Sequence, residues 1–142
     1  MTHPVPSSSN FLAWFAIVNG VLTCAAPLAI TYLSGRSLPS LIVVLYLFLG
    51  VVSAIAGYLG LIGKAEGFWL LFAVFLIQSL EIIWNGPSFS LIGPLAFKFG
   101  WDWYSPPFRL RFNILALVVC ILAARAALAM GASAASDNSS AA

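Results

Sequence analysis

Four long apolar runs, each near the ~20 residues that cross a bilayer as a helix, constrain this chain more than any other feature. They cover about residues 11–33, 41–62, 68–85 and 112–130. In lipid a backbone must satisfy its own hydrogen bonds, which leaves helix as the state for isolated runs of this length. Composition points the same way. The chain is 62% hydrophobic and 7% charged, against roughly 25% charged in soluble domains. A chain of 142 residues could not bury that much apolar surface from water. The expected fold is all-α: a polytopic integral membrane protein built as a four-transmembrane-helix bundle over residues 11–130. A net charge of +2 is too small and scattered for a nucleic-acid surface.

The connections set the expected topology. SGRSLPS (34–40) and GKAEG (63–67) are tight turns with Gly and Pro punctuation, so consecutive helices should be antiparallel neighbours. Residues 1–10, MTHPVPSSSN, carry no Lys or Arg. That is unlike a secretory signal, so they read as a flexible tail before a retained span. Residues 131–142, GASAASDNSSAA, are small and polar and read as a disordered tail.

The third connection, residues 86–111, is too long for a turn. With its flanks it includes FKFGWDWYSPPFRLRFN (97–113), which holds four of the chain's ten charged side chains. Its first half is apolar but too short to cross, which suits an interfacial or re-entrant segment. Trp101, Trp103 and Tyr104 are residue types that favour the headgroup layer. Asp102, Arg109 and Arg111 could meet lipid headgroups or a partner. Arg36, Lys98, Arg109 and Arg111 fall on one side of the expected topology, Lys64 and Arg125 on the other. The positive-inside rule then puts connections one and three in the cytoplasm and both termini outside. The Ala/Ser-rich tail and compact loops suit a bacterial inner (cytoplasmic) membrane.

Polar side chains inside apolar runs are functional candidates. On a helix covering 68–85, Gln78 and Asn85 would share the face of Glu81 at i−3 and i+4. In the first helix Asn19 and Thr23 are four apart, and Pro27 would leave the Thr23 carbonyl without its helical donor. A cluster of Asn19, Thr23, Gln78, Glu81 and Asn85 is expected if the first and third helices touch. It could bind a cation, a proton or a cationic substrate. It could equally act as interhelical glue, at about 0.6 kcal/mol per hydrogen bond, or leave Glu81 paired with Arg109 or Arg111. Gly50, Ala54, Gly57 and Gly60 form a small-residue face for close helix packing, within the bundle or between subunits.

No catalytic pattern is present: there is one histidine, His3, and neither HExxH nor GxSxG. Cys24 and Cys120 read as small buried hydrophobes. The function expected is therefore non-catalytic, without metal or cofactor. The chain would be an accessory or partner-binding subunit that docks through 97–113. The alternative is a small oligomeric transporter or channel using the cluster around Glu81. The expected partners are membrane lipids and another membrane protein or a second copy, with no nucleic acid.

Overall fold

The computed structural model describes residues 7–35, 37–84, 88–90, 95–104 and 107–140. Four helices carry the chain: α1 (Ser7–Ser34), α2 (Ser40–Leu61), α3 (Ala65–Gln78) and α4 (Ile114–Ser140). Between α3 and α4 lie four strands: β1 (Leu80–Trp84), β2 (Ser88–Ser90), β3 (Lys98–Tyr104) and β4 (Pro107–Asn113). Among the described residues, three helices are long and apolar enough to cross a membrane, over Ser9–Ser34, Ser40–Leu61 and Ile114–Ala132.

α1 and α2 form an antiparallel hairpin at very close range. The small residues of α2 face α1: a Cβ at Gly57 would stand 2.5 Å from the Ala13 carbonyl, and one at Gly50 would collide with Cys24 Sγ. On α1, a Cβ at Gly20 would stand 2.8 Å from the Ala54 backbone nitrogen. Gly50, Ala54 and Gly57 thus seat α1 within the same chain. This close approach lets the buried Ser53 hydroxyl donate to the Ala16 carbonyl at 3.0 Å. Gly60 meets α3 as well as α1, through Phe68. Gly63, at φ 77°, permits the turn into α3. There Gly67 leans on the backbone of Gly60 and Ala56. The core runs between the layers through Leu12, Ala16, Ala56, Phe68, Leu71, Phe75, Ala116, Val119 and Ala123. α1 continues through Pro27, and the Thr23 hydroxyl donates to the Asn19 carbonyl at 2.7 Å.

Two expectations are corrected here. The third apolar run does not stay helical to residue 85. α3 ends at Gln78 after 14 residues, about 21 Å of rise against a hydrocarbon core of ~30 Å. Ser79 closes the helix, its amide and hydroxyl both donating to the Leu76 carbonyl at 3.2 and 2.7 Å. LEIIW then continues as strand, where paired isoleucines suit a pleated surface. Second, the all-α expectation covers the four helices, but the aromatic connection is an antiparallel sheet of order β2-β1-β4-β3. The fourth span runs over Ile114–Ala132, and α4 itself extends to Ser140.

Candidate functional site

The sheet register sorts its side chains onto two chemically opposite faces. Directly paired residues of an antiparallel ladder share a face, and neighbours along a strand alternate. Phe112, Leu110 and Phe108 of β4 pair with Phe99, Trp101 and Trp103 of β3, and the first two also pair with Leu80 and Ile82 of β1. All eight are apolar or aromatic. The intervening positions put Lys98, Asp102, Arg109, Arg111 and Glu81 on the other face.

The β3 side of the apolar face is exposed, while its β4 and β1 residues are partly buried. Phe99, Trp101 and Trp103 are 57%, 54% and 49% exposed. Phe99 meets Trp101 edge-on with centroids 5.2 Å apart, and Trp103 tilts against Phe108 at 5.5 Å. β3 is an edge strand, so its outer row of backbone groups has no strand beside it among the described residues.

The polar face carries the ion pairs. Asp102 Oδ2 lies 3.7 Å from Arg109 Nε and 3.6 Å from a terminal nitrogen of Arg111. The expected pairing of Glu81 with Arg109 or Arg111 is therefore corrected. Arg111 stands opposite Glu81 in the ladder, but its guanidinium turns to Asp102. Lys98 Nζ lies 3.3 Å from Glu81 Oε2 instead. Lys98 reaches in from solvent, with a side chain 40% exposed against 8% for Glu81.

The polar residues singled out in α1, α3 and β1 are buried one by one. Asn19, Thr23, Gln78 and Glu81 are 1%, 1%, 1% and 6% exposed. The Phe15 and Phe75 rings, 5.9 Å apart, show that side chains of α1 and α3 meet. Asn19 and Gln78 lie one turn further along each helix. Thr23 is a turn beyond Asn19, and Glu81 enters from β1, not from a helical stripe. Tyr46 of α2 lies within the electrostatic reach of Glu81. Both side-chain amide atoms of Asn19, Nε2 of Gln78 and Oε2 of Glu81 lack a hydrogen-bond partner among the described residues. The Lys98 contact is thus a charge contact without hydrogen-bond alignment. Asn85 lies outside the described residues. Tyr104 is placed only as the last residue of β3.

Sequence reasoning missed one residue that holds this region together. Asn113, 1% exposed, ends β4 and caps α4. Its Oδ1 accepts from the Ala116 amide at 3.4 Å and the Phe97 amide at 3.1 Å, while Nδ2 donates to the Leu95 carbonyl at 3.5 Å. Its own amide donates to the Ser79 carbonyl at 2.8 Å. The signal was an Asn directly before an apolar run, a helix-start pattern.

Cys24 and Cys120 are free thiols. Their Sγ atoms lie 3.8 Å from the Leu47 carbonyl and 3.5 Å from the Phe72 carbonyl. Among the described residues no group of three His, Cys, Asp or Glu side chains could hold a metal ion. Comparison with protein-family models, with curated proteins and with solved structures finds no match to this chain.

Proposed function

We propose that this chain is a non-catalytic membrane protein that docks another membrane protein through the aromatic sheet. The observation that carries the reading is the row of exposed β3 rings, Phe99, Trp101 and Trp103, on a seven-residue edge strand with no strand beside it among the described residues. An exposed apolar row of this kind marks an interaction surface. Lipid could cover the rings, but it cannot satisfy the backbone groups of a strand edge. That matters because the sheet begins where α3 has risen only about 21 Å. A protein partner meets both needs, with an apolar surface for the rings and a strand or polar groups for the edge. The polar face neutralises much of its own charge, so specificity rests on the aromatic shape. In this reading the chain sits in a bacterial cytoplasmic membrane, with the sheet and the α1–α2 turn on the cytoplasmic side and both termini outside.

The test is site-specific photocrosslinking in cells. A photoreactive phenylalanine analogue at Phe99 and at Trp103 should each give one discrete adduct containing the same partner. The same analogue at Val51 and Ile121, exposed on α2 and α4, should give none. No adduct from the sheet, or equal adducts from the helix positions, refutes docking.

A second reading, a small oligomeric transporter or channel, is favoured by the unpaired buried atoms around Glu81.

A further inference from the structure

The geometry points to a binding site for a partly hydrated monovalent cation between α1, α3 and β1, with Lys98 as a tethered competitor for the same carboxylate. The inference deepens the transport reading by naming a ligand class, and it stands without translocation.

Four buried polar atoms have no partner among the described residues: Asn19 Oδ1 and Nδ2, Gln78 Nε2 and Glu81 Oε2. We infer that they converge, because the Phe15–Phe75 contact joins α1 to α3 one turn before Asn19 and Gln78, and Glu81 follows three residues after Gln78. Leaving such groups unpaired is costly, and more so in a membrane interior. The guest that relieves them must do two things. It must bring positive charge or donors to Asn19 Oδ1 and Glu81 Oε2. It must also bring acceptors to the two amide nitrogens. A bare ion satisfies only the oxygens. A cation that keeps part of its water satisfies both sets, because its water oxygens accept from the amide N–H groups. The donors are all hard oxygens, the Thr23 hydroxyl among them, which suit a hard ion. The centre holds one carboxylate, and the described residues offer no cluster of three acidic or metal-ligating side chains. One negative charge balances one positive charge, so the ion is monovalent.

Lys98 supports this assignment. Its ammonium approaches Oε2 to 3.3 Å without a hydrogen bond, on a side chain that is 40% exposed. It can leave toward solvent when a free cation arrives, and it returns when the cation goes. The other charges of the polar face, Arg109, Arg111 and Asp102, are engaged with one another.

The test follows thermal unfolding of the purified full chain in detergent. Na+ or K+ is titrated against choline at constant ionic strength. A ligand that binds only the folded state raises the midpoint, so the expected result is a saturable rise with Na+ or K+ and none with choline. Lys98→Met should shift the half-saturating concentration down by about tenfold, because the competitor is gone. Glu81→Gln should abolish the rise, and Asn19→Val serves the same purpose if that variant does not fold. An unfolding midpoint independent of the cation in both wild type and Lys98→Met overturns the site. A rise that persists in Glu81→Gln or Asn19→Val overturns it too. Cation-dependent stability with no cation flux in proteoliposomes leaves the site standing and removes transport.

Discussion

At the scale of single residues, two positions decide more than their size suggests. Asn113 joins a strand end to a helix start through its side-chain amide, and reaches the Ser79 turn through its backbone amide. Asn113→Ala removes the α4 cap and leaves the Phe97 amide and the Leu95 carbonyl without it. The cap alone is worth about 1–2 kcal/mol, and that loss or more is expected in unfolding measured in detergent. Gly57 is the second. A Cβ there meets the Ala13 carbonyl at 2.5 Å and the Ile17 amide nitrogen at 3.0 Å. Those are backbone atoms, so relief requires α1 to move. At Gly60 the same Cβ meets a Phe68 ring atom at 3.1 Å and the Ala13 Cβ at 3.3 Å, and a ring can turn. Gly57→Ala should therefore destabilise by roughly 1–3 kcal/mol and Gly60→Ala by clearly less. Equal losses would show that the hairpin is not as close as described.

At the scale of elements, the sheet is where sequence reading fell short. KFGWDWY and FRLRF alternate apolar and polar side chains with a period of two, the mark of a half-buried strand. The alternation was legible. Its aromatics also fit a membrane-interface belt, and the apolar third run fitted a helix. Only the ladder between β1 and β4 decides between these, and it joins residues about thirty apart in sequence. If a partner covers the sheet, amide exchange should report it. In the isolated protein the β1 and β4 amides, inside the sheet, should exchange slowly, and the outward-facing amides of β3 quickly. In the native complex those β3 amides should become protected. Unchanged β3 exchange in the complex would place the docking contact elsewhere.

At the scale of the whole molecule, the antiparallel order of the helices puts the α1–α2 turn and the sheet at one end and the start of α1 and the end of α4 at the other. The basic residues Lys98, Arg109 and Arg111 sit at the sheet end. A C-terminal periplasmic reporter should therefore be active, while a cysteine at Ser37, beside the α1–α2 turn, should react only with a reagent that reaches the cytoplasm. The opposite pattern would invert the proposed orientation. It would leave the internal geometry untouched, because the contacts among helices and strands do not depend on which side faces in.

What the sequence determined by itself was the solvent and the helices. Long apolar runs with few charges admit little else, because backbone groups in lipid must pair within their own segment. The small-residue face of α2 was legible for the same local reason, since glycines at helical spacing permit close approach wherever the neighbour lies. The tertiary structure alone decided where α3 stops, which cation meets Glu81, and which residues of the aromatic segment share a face. Each of these depends on atoms far apart in the chain. Lys98 reaches Glu81 only because β4 lies between their strands in one sheet. Side chains of α1 and α3 meet only because tertiary packing brings the Phe15 and Phe75 rings together.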